Sequence, residues 1–231
     1  MTGRRVRDGK TTLGVSMFRM PGPSFSPLDY TRFLDDFMNT LRIDRAVLVG
    51  QSLGGGIALQ YTLEFPQKVT KLVLVDSAGF GKEVIWTLRL MSIPLVGELV
   101  SHPSRKGVEF VFKLSVRNPA LITKDFVELY YDIFSRPGFR EFFLRLLRRI
   151  VNARGGREEM LAPIMNNLSR ITQPVLIIWG DKDRVLPLRH GYFAKEKLPN
   201  ARLKIMEGCG HIPFFEQAEE FNRLVLEFLS E

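Results

Sequence analysis

Residues 48–56 read LVGQSLGGG, with a serine two places after one glycine, two places before another, and two further glycines behind it. The residues before this stretch, IDRAVLVG (43–50), form a short apolar run rich in β-branched side chains, which predicts a strand buried on both faces. The residues after it, GGGIALQYTLEFP, predict a helix that stops before Pro66. A chain that passes directly from strand to helix must turn sharply, and the residue at the junction takes a strained backbone conformation. Side chains two places before and two places after would run into the adjoining strand and helix, so Gly50 and Gly54 are expected to relieve that crowding. Such a turn holds the Ser52 hydroxyl out at the carboxyl end of the sheet, where α/β folds place their ligands. The backbone N–H of Leu53, opening the helix, would then face an oxyanion formed by attack on a carbonyl, aided by the helix dipole.

Further along, VTKLVLVDSAG and QPVLIIWGDKD read as buried strands ending near Asp76 and Gly180, ARLKIMEGCGH as a strand with clearer alternation, and EEFNRLVLEFL as an amphipathic helix. Buried strands alternating with helices imply a parallel sheet covered on both sides. SPLDYTRFLDDFMNTL predicts a helix capped by Ser26, with Tyr30, Phe33, Leu34, Phe37, Met38 and Leu41 forming a stripe toward the sheet. Between Asp76 and Pro174 the strand pattern stops. Residues 80–168 read as a helical insertion broken at Pro94, Pro103, Pro119, Pro137 and Gly155-Gly156, with residues 1–79 and 169–231 forming the core.

The 231 residues are 45% hydrophobic and 25% charged, enough for one sizeable core with an insertion. The net charge of +8 is spread out, with local clusters at Arg4, Arg5 and Arg7 and along RLLRRIVNARGGR (145–157). No aromatic-stacking or groove-reading motif accompanies these clusters, so they are read as a solvated helix face and no nucleic-acid partner is expected. One cysteine, Cys209, cannot close an internal disulfide, and neither a secretory signal nor a run of about 20 apolar residues is present, so a cytoplasmic protein without membrane insertion is expected.

Serine at its ordinary pKa is a weak nucleophile and needs a base, which in turn needs a carboxylate to orient it. There are three histidines. His102 lies in the insertion beside Pro103, and His190 falls in a surface-helix pattern. His211, in GCGHIPFFE, follows a strand and two glycines that free the loop to bring an imidazole over the sheet edge. For the acid, Asp183 in WGDKDRVLP lies in a strand-end loop, 131 residues after Ser52 and 28 before His211. Asp181 is a rival that could simply shape the turn. Asp76 is another, since it too ends a strand.

Taken together, GQSLGG at the elbow, PVLIIWGDKDRVLP around the acid, CGHIPFFEQAEEFNRLVLEFL around the histidine, and the order Ser, Asp, His resemble the α/β-hydrolases, in the branch with an inserted helical cap. The resemblance covers nearly everything from about residue 20 onward. Within that superfamily the chain is most similar to carboxylesterases and to hydrolases that cleave carbon-carbon bonds in ring-fission products. It implies a catalytic triad of Ser52, Asp183 and His211, an oxyanion contact from the Leu53 backbone, a small-molecule ester substrate, and no metal or organic cofactor. Carbon-carbon hydrolysis of a ring-fission dienoate, with a cap arginine holding its carboxylate, and a catalytically silent binding scaffold are the alternatives. Phe110, Phe112, Phe126, Phe134, Phe139, Phe142 and Phe143 are expected to roof an apolar pocket while also packing the cap. In the family about twice as much chain precedes the elbow, including a His-Gly loop that supplies the other oxyanion donor. Here no His-Gly pair occurs before Ser52, and VSMFRMPGPSFSP already resembles the strand and loop just upstream of the cap-side helix. Residues 1–20, or association between copies, are expected to cover the resulting sheet edge.

Overall fold

The computed structural model describes residues 27–231. The expectations for Ser26 as a cap, for a strand and loop in residues 15–26, and for residues 1–20 as a filler of the sheet lie outside those residues. The chain runs through helix α1 (Pro27–Thr40), strand β1 (Ala46–Gln51), helix α2 (Leu53–Glu64) and strand β2 (Val69–Val75). Helices α3 (Trp86–Ser92), α4 (Val96–Val100), α5 (Arg105–Ser115), α6 (Lys124–Phe134) and α7 (Phe139–Ile150) follow. A small antiparallel hairpin, β3 (Val151–Asn152) and β4 (Gly155–Gly156), leads into α8 (Glu158–Met165). The chain then returns to the sheet as β5 (Val175–Gly180), α9 (Arg189–Lys197), β6 (Ala201–Met206), α10 (Pro213–Glu216) and α11 (Ala218–Ser230). The hairpin corrects the reading of 80–168 as helix with a simple break at Gly155-Gly156. Gly155 adopts a φ of 122°, and the Gly156 N–H donates to the Lys82 carbonyl at 2.7 Å, so this pair turns the chain back toward the sheet.

Four parallel strands lie in the order β1-β2-β5-β6. All six residues of β5 are buried, as its unbroken apolar run requires. One sheet face packs Leu72, Leu74, Val175, Ile177 and Trp179 against Leu59 and Tyr61 of α2 and Ala194 of α9. The other packs Val73, Val75, Leu176 and Ile178 against Phe221, Leu224 and Phe228 of α11. Fully burying such a side chain stabilises the fold by about 1.5–3 kcal/mol. The strand β1 departs from expectation: on the α11 face Val47 and Val49 are 37% and 55% exposed. Among the described residues β1 is an edge strand, and the apolar stripe of α11 reaches β2, β5 and β6.

Helix α1 also departs from its reading, because its main packing is on α2 rather than directly on the sheet. Met38 is buried beside Tyr61, whose hydroxyl donates to Asp35, and Lys68 pairs with the same carboxylate at 2.5 Å. Phe33 and Leu41, read as part of the buried stripe, are 44% and 55% exposed.

The helical stretch between β2 and β5 has its own core, in which Val108, Val116, Ile122 and Val127 pack with Phe112, Phe126 and Tyr130. Two of its helices, α5 and α6, begin where short polar side chains satisfy first-turn amides: Ser104 accepts from the Gly107 N–H at 3.1 Å and Thr123 from the Phe126 N–H at 3.2 Å. In the basic run, Arg148 forks onto Glu98 at 2.6 and 2.7 Å, and Arg157 reaches the Arg148 carbonyl and Glu159. Among the described residues no helix is long and apolar enough to cross a membrane.

Candidate active site

Parallel register aligns the carboxyl ends of the four strands. Gln51 of β1 pairs with Val75 of β2, Val75 with Ile178 of β5, and Gly180 with Met206 of β6. The residues that follow, Ser52, Asp76, Asp183 and His211, therefore emerge along one edge of the sheet.

Ser52 sits between β1 and α2 with φ 53° and ψ −122°, a strained conformation of the kind that costs about 1–3 kcal/mol. Its own N–H donates to Val75 O at 3.0 Å, and its carbonyl accepts from Gly55 at 3.0 Å and Ala78 at 2.9 Å, so the turn is locked onto β2. A Cβ at Gly50 would lie 2.5 Å from the Gly54 carbonyl oxygen and 2.7 Å from the Gly55 Cα, which confirms the steric need there. Gly54 is different: a Cβ there would meet nothing within 4 Å. The second required glycine is Gly55, whose Cβ would fall on the Ser77 side chain just past β2. Gly50→Ala is therefore expected to lower stability by about 1–3 kcal/mol, as overpacking does. Gly54→Ala, inside the first turn of α2, is expected to be neutral or to stabilise by up to about 1 kcal/mol. Denaturant melts of the two variants check this, and equal losses would refute the asymmetry.

His211 brings the site together. Its Nε2 lies 3.0 Å from Ser52 Oγ and its Nδ1 2.8 Å from Asp183 Oδ2. The His211 side chain is 8% exposed and that of Asp183 0%. The other oxygen of Asp183, Oδ1, accepts from the N–H groups of Val185 at 2.7 Å and Leu186 at 3.0 Å, which fixes the carboxylate plane. The loop carrying His211 is clamped by residues that the motif reading did not single out. Gln51 donates to the His211 carbonyl at 2.9 Å, the His211 N–H donates to Ser115 O at 2.7 Å, and Glu216 accepts from Gly210 at 2.8 Å and Arg117 at 2.6 Å. Glu216 stood in the same short motif as His211, but its partner Arg117 lies 99 residues away.

The rival residues find other work. His102 is exposed, with its Nδ1 3.3 Å from the neighbouring Pro103 carbonyl. His190 is buried against Trp179 with its Nε2 2.7 Å from Glu83. Asp181 accepts from the Cys209 N–H at 3.3 Å and pairs with Lys182 at 2.9 Å. Asp76 stays close: it is fully buried, accepts from the Gly180 N–H at 2.9 Å, and has one oxygen within 4.8 Å of a carboxylate oxygen of Asp183 and a ring nitrogen of His211. Burial first, and the Asp183 charge second, push the Asp76 carboxyl well above the usual carboxylate range.

Ser52 and His211 open on a cavity of about 440 Å³. Leu53 lines it, and as the first residue of α2 its N–H lacks a helical acceptor. Of the seven phenylalanines expected above the pocket, Phe112, Phe126 and Phe143 line it. Phe142 is buried, Phe134 and Phe139 stack on each other at 5.1 Å, and Phe110 is 50% exposed. None of the described lining residues is Lys, Arg, Asp or Glu.

Comparison with known proteins agrees with this architecture. Residues 8–224 match the alpha/beta hydrolase family. An uncharacterized protein of Mycobacterium tuberculosis is 34% identical over 227 residues, covering 94% of this chain and 65% of that protein, so this chain spans about two thirds of that relative's length. The 2-hydroxy-6-oxononadienedioate/2-hydroxy-6-oxononatrienedioate hydrolase of Comamonas testosteroni is 30% identical over 200 residues, covering 86% of this chain and 68% of that one. Among solved structures, a meta-cleavage product hydrolase from Pseudomonas fluorescens superposes with a TM-score of 0.75 at 26% identity, over 90% of this chain and 72% of that one.

Proposed function

This chain belongs to the alpha/beta hydrolase family, and on that premise we propose that it is a serine hydrolase cleaving carboxylic esters with an apolar, uncharged acyl group. The observation that carries this reading is the Ser52–His211–Asp183 hydrogen-bond chain opening on a cavity whose described lining contains no Lys, Arg, Asp or Glu. In this mechanism His211 Nε2 takes the Ser52 proton as Oγ attacks the ester carbonyl. The Leu53 N–H and the positive end of α2 stabilise the oxyanion. His211 then protonates the leaving alcohol, and water, activated by the same imidazole, releases the acid. Asp183 holds Nδ1–H toward itself and stabilises the imidazolium. The helices between β2 and β5 act as a cap over the acyl group.

A second reading, carbon-carbon hydrolysis, is favoured by the similarity to the Comamonas hydrolase, whose name specifies a dicarboxylate. A carboxylate entering this cavity would lose its hydration with no described cationic side chain on the lining to meet it, a cost of several kcal/mol. Neutral esters avoid that cost. The deciding measurement is kcat/KM for p-nitrophenyl butyrate against a 2-hydroxy-6-oxo-6-phenylhexa-2,4-dienoate. The ester is expected to be favoured at least about 100-fold, the equivalent of roughly 2.7 kcal/mol. The reverse preference would establish the carbon-carbon reading, and turnover of neither substrate by folded protein would leave a binding scaffold.

A further inference from the structure

We propose that Asp76 is held as a neutral carboxylic acid that donates a hydrogen bond to the Asp183 carboxylate, making it a positioning residue for the acid of the site. This deepens the reading of Ser52, His211 and Asp183 as a relay and rests on it.

The argument starts from the supply of donors. Asp183 receives three: the Val185 and Leu186 amides on Oδ1 and His211 on Oδ2. Asp76 receives one, the Gly180 amide on Oδ1, and its Oδ2 is buried without a donor. As a carboxylate, Asp76 would leave that oxygen unsatisfied in the interior, which costs more than an ordinary missing hydrogen bond because the group is charged. As an acid it becomes the donor, and Asp183 offers the adjacent acceptor, with one of its carboxylate oxygens within 4.8 Å of an oxygen of Asp76. Two carboxyls enclosed together cannot both ionise cheaply, and the charge settles on the one with more donors.

The titratable groups around Asp76 agree. Asp183 and Glu216 both raise it electrostatically. The Cys209 thiol is pushed up to about 12, chiefly by its own burial. His211 is the remaining partner, and it is already committed to Asp183. No lysine or arginine is among the groups that act most strongly on Asp76. Topology explains the meeting: β2 and β5 are neighbours in register, so residues 76 and 183 emerge side by side.

Asparagine reproduces the neutral acid, accepting from Gly180 through its oxygen and donating to Asp183 through its amide. Alanine removes both bonds. The pH dependence of kcat/KM for a p-nitrophenyl ester should therefore separate the variants. Asp76→Ala is expected to lose about 10- to 100-fold, the range for a hydrogen bond to a charged group. Its acid limb should move to higher pH, because an Asp183 deprived of a donor attracts the imidazolium more strongly. Asp76→Asn is expected to recover most of that activity with the limb of the unmodified protein. If Asp76 were ionised, both variants would remove a negative charge near His211 and move the limb to lower pH, which would overturn the proposal. An Asp76→Ala variant with unchanged rate and limb would overturn it too.

Two readouts do not depend on turnover. The infrared difference between the unmodified protein and Asp76→Asn at pH 7 should contain the carbonyl band of a protonated acid, and its absence would overturn the proposal even if the ester reading holds. Linkage supplies the other. A carboxyl whose folded value lies above its unfolded value of about 3.9 adds stability below that pH and loses it as the pH rises toward the folded value. Asparagine has no such loss, so Asp76→Asn should gain at least about 3 °C in Tm at pH 8 relative to its difference at pH 4.5. A pH-independent difference would count against the neutral acid.

Discussion

Replacing Ser52 by alanine is expected to lower ester turnover by about 10⁴- to 10⁶-fold, the range found when the nucleophile of a serine hydrolase relay is removed. The side chain lost is small, and its described hydrogen bond is the 3.0 Å contact with His211 Nε2. The backbone bonds that hold the turn, from Ser52 N–H to Val75 O and from Ala78 and Gly55 to the Ser52 carbonyl, survive the substitution. The variant should therefore keep its circular dichroism spectrum and Tm while losing turnover and covalent labelling by a fluorophosphonate. Labelling that persists undiminished would place the nucleophile elsewhere.

Asp183→Asn is expected to cost about 10⁴-fold, the loss seen for the equivalent change in a well-studied serine protease. The oxygen of the introduced amide can still accept from Val185 and Leu186, so the loop should hold. The amide nitrogen, however, would face His211 Nδ1, where an acceptor is needed. The imidazole would then carry its proton on Nε2, facing Ser52, and could not accept the hydroxyl proton. Buried Asp76 lies close enough to be considered as a substitute acid, but as a neutral group it cannot stabilise the imidazolium. If Asp183→Asn loses less than tenfold while Asp76→Asn loses more, the acid of the site is Asp76. Steady-state rates of the two variants at one pH decide it.

The amino-acid sequence determined the features that depend on neighbours along the chain. A β-branched run, a glycine, a serine and a helix pattern specify a strand-turn-helix wherever they lie, because the turn sterics are local. The Asp183 and His211 loops were legible for the same reason, each lying a few residues past an apolar strand. Packing between distant segments decided the rest. Gly55, not Gly54, is the second crowded position because Ser77 approaches it from the end of β2, and spacing around Ser52 says nothing about that contact. Val47 and Val49 read as buried because an apolar run looks alike whether or not a helix covers it; among the described residues the apolar stripe of α11 packs on β2, β5 and β6, and these two valines stay exposed. Glu216 could not be told from an ordinary surface glutamate until Arg117 and Gly210 came to it. Asp76 and Asp183 stand 107 positions apart in the chain. Only the parallel register of β2 and β5 puts them in one buried site, where two carboxyls must share their surroundings and the supply of hydrogen-bond donors settles which of them is charged.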